Sequence, residues 1–368
     1  MMLLIWVILP VLFVLLIGFY LYKKIKSAVE YFCKNLSHQK QKMMIFALLI
    51  LIVGPGVRIY SAWFIGLLHF TAILLVIDVF VFVLHKFNKL NSKIAEKIYK
   101  SGSIAIILTA MIMGYGYYNI YQIEKTEYTI TKKETVENDY KIVVLSDLHY
   151  GITLNKKQLS QVVKRINKEH ADIIVLDGDL VDENTTYNQM KEAFETLGKI
   201  KSTYGIYYVY GNHDQNNYAS SPNYTKKQLA STIKKSNITI LEDQTVTLNQ
   251  EISLIGRKDK GDGTNQRKSI KSLTKDLNKR NEWIVLDHQP LEYQEVQQAK
   301  CDVILSGHTH GGQVWPAGLF STVFHFNELN YGQKKMDQMN AIVTSGIAGW
   351  GYPIRTEHHS EYVVIHIQ

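Results

Sequence analysis

Five stretches of the chain share one form: KIVVLSDLH (residues 141–149), IIVLDGD (173–179), IYYVYGNHD (206–214), WIVLDHQ (283–289) and DVILSGHTHGG (302–312). Each begins as a short apolar run rich in Ile, Val, Leu and Tyr and leads into Asp, His or Asn, three of them beside a glycine. Runs of this kind suit strands buried on both faces, as in a sheet covered by helices. Further strands are predicted at 252–255, 341–345 and 361–367, and amphipathic helices near 156–170, 187–200, 224–235 and 290–299. The alternation argues an α/β domain. Polar side chains gathered at the C-terminal ends of strands occupy the place where α/β sheets hold ligands.

Outward from this core, the N-terminal third is of another kind. Apolar stretches at about 2–22, 43–60, 62–85 and 102–121 each approach the ~20 residues a helix needs to cross a bilayer. The first has no basic lead and no small-residue cleavage site, and Lys23, Lys24 and Lys26 follow it, so it reads as an anchor rather than a signal peptide. Gly54-Pro55-Gly56-Val57-Arg58 makes a tight hairpin of the second and third. The expected organisation is a four-helix transmembrane anchor over 1–123, a polar tether over 124–139 and the α/β domain over 140–368. His69, Asp78 and His85 fall in the third span; Asp78 has no evident charged relay in the others, which favours a structural role over transport.

The net charge of +8 suggests a polyanion partner until it is divided. Residues 1–120 hold 12 of the 41 Lys and Arg but only Glu30, Asp78 and Glu96 of the 33 acids, so the rest of the chain is close to neutral. The basicity serves topology, and no nucleic acid is expected as partner. Two cysteines, Cys33 and Cys301, exclude a disulfide framework, and Cys301 reads as a small buried hydrophobe.

A single strand-terminal Asp more often caps a helix than binds an ion. The same carboxylate, imidazole and amide chemistry at five strand ends points instead to metal. Asp147-x-His149, Gly178-Asp179-x-x-Asp182, Gly211-Asn212-His213-Asp214, the His288 motif and Gly307-His308-x-His310 resemble the signature of the calcineurin-like metallophosphoesterases over roughly residues 140–368. The trailing Gly311-Gly312-Gln313 and the anchored front are similar to the family's bacterial membrane-associated branch. The resemblance implies an α/β sandwich of two mixed sheets flanked by helices. It also implies two divalent metal ions bridged by Asp179, one held by Asp147, His149 and His310, the other by Asn212, His288 and His308. Mixed nitrogen and oxygen donors without thiolate suit Mn, Fe or Zn and do not choose among them. The family's reaction is hydrolysis of a phosphoester by a hydroxide held between the metals, with His213 as proton donor to the leaving oxygen and Asp214 orienting its ring. Asp182 is expected to cap a loop or to support a ligand.

Arg355, in the glycine-rich segment 349–355, is a candidate phosphate-binding residue. Arg257 and Asp259 stand where relatives of this pattern more often carry two acids. The aromatic stretch 312–335 reads as a wall beside the metals, a loop resting on the bilayer, or ordinary loop packing. The anchor favours a membrane- or envelope-associated substrate, such as a lipid-linked diphosphate or a cell-wall phosphodiester. The alternatives are a phosphatase of soluble nucleotides or phosphomonoesters, a metal-binding scaffold without activity, and a membrane sensor or transporter with a regulatory domain. The 23–42 and 86–100 segments hold six and five lysines, against Arg58 alone in 54–61. By the positive-inside rule the lysine-rich loops are cytoplasmic and the α/β domain lies outside. A C-terminal alkaline phosphatase fusion should therefore be active, and a reporter active only in the cytoplasm would reverse this topology.

Overall fold

The computed structural model describes residues 9–58, 61–86, 92–261 and 266–368. The chain divides into an N-terminal unit, Met1–Tyr115, and a C-terminal unit, Gly116–Gln368.

The N-terminal unit is helical: α1 (Leu9–Phe32), α2 (His38–Val53), α3 (Ala62–Lys86), α4 (Lys93–Ser101) and α5 (Ser103–Asn119), the last ending in the C-terminal unit. Residues 1–8, where the first predicted span begins, lie outside the described residues. Among the described residues, two helices have the length and composition to cross a membrane, His38–Val57 and Ala62–Lys86. The pair Lys93–Ser101 and Ser103–Asn119 passes together but bends by 49°. Asp78, expected to stand alone, has partners. Lys24 pairs with it, Tyr20 Oη donates at 2.8 Å and Tyr99 Oη at 3.0 Å. These contacts tie α1, α3 and α4 together, a structural use of an intramembrane carboxylate.

The C-terminal unit is two six-stranded mixed sheets. The first has the order β1-β12-β2-β3-β4-β5 and comprises β1 (Ile123–Ile130), β12 (Ser360–Ile367), β2 (Tyr140–Leu145), β3 (Ile173–Asp177), β4 (Ile206–Val209) and β5 (Ile238–Ile240). The second has the order β10-β11-β9-β8-β7-β6: β10 (Gly332–Met336), β11 (Met339–Val343), β9 (Val303–Ser306), β8 (Glu282–Leu286), β7 (Ile252–Gly256) and β6 (Gln244–Leu248). Alternate residues of β2 and β3 divide between two cores. Ile142, Val144, Ile173 and Val175 meet Ile252, Leu254, Ile284 and Leu286 of the other sheet. Val143, Leu145, Ile174 and Leu176 face α6 (Lys156–Asn167), α7 (Tyr187–Leu197) and α8 (Lys226–Lys235). A third core seats α9 (Ile270–Thr274) and α10 (Tyr293–Gln298) on the second sheet and takes in Cys301, whose thiol burial pushes up to about 12. Helices therefore cover both outer faces, the sandwich that the family resemblance implied. Asn155, Thr186 and Thr225 open α6, α7 and α8 with full capping boxes, which fixes where each helix starts relative to the loop before it.

Residues 124–139 are not merely a tether. β1 pairs in parallel with β12 from Ile123↔Ser360 to Ile130↔Ile367, so the chain enters the sheet three residues after α5. The strand reads as polar because it is a sheet edge; Glu124, Lys125 and Glu127 face solvent, as edge strands require. A fragment beginning at Gly116 should unfold cooperatively in urea. One beginning at Lys132 should be less stable by roughly 2 kcal/mol or more and self-associate on size exclusion, because β12 becomes a bare apolar edge.

Candidate metal centre

Every strand that the sequence singled out delivers its polar residues to one rim of the sandwich. Asp147 and His149 follow β2, Asp179 follows β3 and Asn212 follows β4; His288 follows β8, and His308 and His310 follow β9. They assemble into two groups. Ligand atoms of Asp147, His149 and His310 lie within 4.8 Å of one another, as do those of Asp179, His288 and His308. Stacked imidazoles of His149 and His310, 5.1 Å apart, belong to the first group; the edge-on pair His288 and His308, at 5.4 Å, belongs to the second.

The backbone is bent to present them. Asp147, His149, Asp179, His308 and His310 all have positive φ, between 37° and 69°, a region that costs a non-glycine residue free energy and persists only where surroundings enforce it. Glycines allow the loops to close up. A Cβ on Gly211 would stand 2.2 Å from Asp179 Oδ1, and one on Gly307 would stand 1.9 Å from Ser146 Oγ.

Neighbouring polar groups then position several of these side chains. Ser146 Oγ donates to Asp147 Oδ2 and to Asp177 O, both at 2.7 Å, and His308 N donates to the Asp147 carboxylate at 3.1 Å. His288 Nδ1 lies 2.7 Å from Asp177 O, which directs Nε2 toward Asp179 Oδ2 at 3.0 Å. His149 Nδ1 stands 3.5 Å from Asp182 Oδ2, while Asp182 Oδ1 accepts from Asn184 N and Thr185 N; Asp182 thus both supports a ligand and caps a loop, as expected.

The donor set fits a pair of cations. His149 Nε2 and Asn212 Oδ1 are buried without a hydrogen-bond partner, an arrangement costly for polar atoms unless something coordinates them. Burial pushes the Asp147 carboxyl up and holds the His308 imidazole down at about 4, with the His288 charge adding to the latter. His310 is likewise held well below the usual range, so both imidazoles keep free lone pairs. Burial also disfavours the charged His288 ring, but Asp179 and Asp147 outweigh it and hold the proton on; a cation would replace that proton as countercharge.

Two expectations about individual residues, Asp214 and Arg355, are corrected. Asp214 does not orient the His213 ring. Its carboxylate accepts from the backbone N–H of Asp179, Leu180, Val181 and Gly211 at 2.7 to 3.1 Å. The ring belongs instead to Glu183, whose Oε2 lies 2.9 Å from His213 Nδ1. Sequence reading passed over Glu183 because it follows Asp182 in what looks like a polar loop, although the spacing from the Asp179 motif was the available signal. Arg355 is not open to a phosphate either. It is fully buried, donating to His310 O at 2.8 Å, Ser345 O at 3.0 Å and Ala348 O at 2.7 Å. The region of Arg257 and Asp259 also turns inward: Arg257 pairs with Asp287 and Glu292 at 3.1 and 2.8 Å. Tyr218 and Trp350, which the sequence gave no reason to choose, flank His213 at ring distances of 5.2 and 5.6 Å.

Arg355 is thus a clamp on the loop that carries His310. Arg355→Met should cost about 3 kcal/mol in denaturant unfolding by stranding buried carbonyls, and should lower metal content. An unchanged stability with a raised KM would instead return Arg355 to the substrate.

Comparison with known proteins agrees with this geometry. The calcineurin-like phosphoesterase family matches over residues 140–312. A metallophosphoesterase of Helicobacter pylori is 30% identical over 263 residues, covering 70% of this chain and 68% of that protein. A transmembrane protein with metallophosphoesterase domain from Danio rerio is 29% identical over 315 residues, covering 78% of this chain and 69% of that one. With both ligand groups assembled at the rim of its sandwich, the chain belongs to the calcineurin-like metallophosphoesterases, hydrolases of phosphoesters.

Proposed function

We propose that the C-terminal unit cleaves a phosphodiester or pyrophosphate bond in a membrane- or envelope-associated substrate, on the outer side of the membrane. The observation that carries the reaction is the pair of ligand groups; the helices His38–Val57 and Ala62–Lys86 support the location. Asp147, His149 and His310 would hold one cation and Asn212, His288 and His308 the other, with Asp179 between them. Two such ions, when bound, neutralise phosphoryl oxygens and lower the pKa of water.

The chain supplies the rest. Contact of His213 Nδ1 with Glu183 leaves Nε2 to face outward with its proton. Burial pulls the His213 pKa down, but the Glu183 hydrogen bond and the charges of Asp179 and Glu183 raise it to about 9, so the ring is charged at neutral pH. It can then attract a phosphate oxygen and protonate the leaving group. Tyr218 and Trp350 on either side limit how that ring turns and offer aromatic faces to the leaving group. Asp214 acts at one remove, through the backbone that positions Asp179.

Metal analysis of the full-length protein, joined to assays on lipid-linked diphosphates, bis-(p-nitrophenyl) phosphate and nucleotides, tests this reading. Asp179→Ala and His288→Ala should lose both metal and turnover, whereas His213→Ala should keep metal and lose about 10²–10⁴ in rate. Hydrolysis of nucleotides or phosphomonoesters with no turnover of lipid-linked substrates would favour the soluble-substrate alternative. Metal binding with no hydrolysis at all would favour a scaffold.

A further inference from the structure

The C-terminal unit carries a ridge of apolar side chains on its surface. Trp315, Leu319, Phe320, Val323, Phe324 and Phe326 are each between 52% and 67% exposed. They lie on and around the short helix α11 (Ala317–Val323), and the rings of Phe320, Phe324 and Phe326 stack in sequence at 6.2 and 5.9 Å. Among the described residues of this unit, the other large exposed hydrophobics are Tyr187, Tyr218 and the pair Tyr117 and Tyr118. Six in twelve residues is far from the scatter of single apolar side chains that an ordinary surface shows.

The location of the ridge says what covers it. Tyr117 and Tyr118 form the last turn of the apolar helix α5, and tyrosines at the end of an apolar helix mark the level of lipid head groups. That turn is fixed to the base of the ridge within the same unit. Arg355 N donates to Gly116 O at 3.0 Å, and Asn119 Nδ2 donates to Arg355 O at 3.1 Å and His358 O at 2.7 Å. A Cβ on Gly116 would stand 2.8 Å from Thr356 Cγ2, and Thr356 Oγ1 accepts from Trp315 N at 3.0 Å. The ridge therefore starts one residue's contact away from the tyrosine turn.

We infer that the segment Trp315–Phe326 inserts into the head-group region of the bilayer that houses the helices, so that the catalytic unit rests on the membrane instead of swinging from it. His308 and His310 lie just upstream of this segment, and Gln313 links it to the loop of Trp350 through Trp350 O at 3.1 Å and Trp350 N at 2.9 Å. Insertion would hold the ligand loop and the Trp350 wall at a fixed height above the lipid.

The test is a label on Phe324→Cys in the full-length chain carrying Cys33→Ser. Cys301 can stay, being buried with its thiol pKa pushed up to about 12. An environment-sensitive fluorophore is attached and the protein placed in nanodiscs of phosphatidylcholine and phosphatidylglycerol, with or without a lipid bearing a nitroxide near the head group. Emission at 324 should shift to the blue and be quenched at least twofold more than a label on Lys227→Cys, an exposed position on α8. Equal quenching at the two positions would overturn the proposal. So would a blue shift at 324 that nitroxide lipid does not quench, which would mean that protein, a second copy or a partner, covers the ridge. If Phe324→Cys fails to fold, Phe326→Cys, at the most exposed position of the ridge, gives the same readout. None of these measurements depends on catalysis, so they stand or fall apart from the proposed reaction.

Discussion

The arrangement of the site rests on a carboxylate that faces away from it. Asp214 receives four backbone N–H groups, three from the loop after β3 and one from the loop after β4. Those loops carry Asp179 and Asn212. Without an acceptor of this strength, four buried donors would be stranded, each at a cost of about 1–3 kcal/mol. Asp179 would then lose part of what holds its positive φ, keeping the bonds from His149 N to its carbonyl and from His213 N to its carboxylate. Ser146 does the same for Asp147 by joining it to Asp177 O, and Arg355 does so for His310 by joining its carbonyl to Ser345 and Ala348. The candidate metal ligands are therefore placed by residues outside the two ligand groups.

Burial shapes their chemistry. The seven ligand side chains crowd a region where water cannot screen them, so each proton position is set by its neighbours. Burial, with neighbouring imidazole charge added, holds His308 and His310 neutral, whereas at His288 the charges of Asp179 and Asp147 outweigh burial and hold the ring charged. A site of this kind is incomplete as a set of protein charges. Its groups are arranged for something positive between them, and the alternation of donor types along five strand ends is the one-dimensional record of that requirement.

Much of this was legible in the chain because strand ends bear a double signature. The apolar runs of β2, β3, β4, β8 and β9 announce burial, and the Asp, His and Asn that follow announce what the burial is for. What escaped notice was polar at the surface or local in its contacts. β1 reads as a tether because Glu124, Lys125 and Glu127 occupy an exposed edge, and its pairing with β12 is a long-range fact that no window of sequence contains. Arg355 in a glycine-rich segment looks like a phosphate ligand, and only its three carbonyl partners show otherwise. Asp214 was given the part that Glu183 plays for a similar reason, since which acid meets the His213 ring is decided only when the two loops close. Asp78 hid its partners because they come from α1 and α4, both remote in sequence.

The β1–β12 pairing also sets an order of events in biogenesis. The first strand to follow the apolar helices has no neighbour until residues 360–367 are available, and β12 is itself the wedge between β1 and β2. The sheet whose strands lead to Asp147 and Asp179 therefore cannot close before β12 has been made. Until its last strand arrives, the unit is held at one end by its helices and is open along β2, which exposes that edge to whatever chaperone or protease waits there. Closure of this sheet therefore waits on the strand that is made after all its other members.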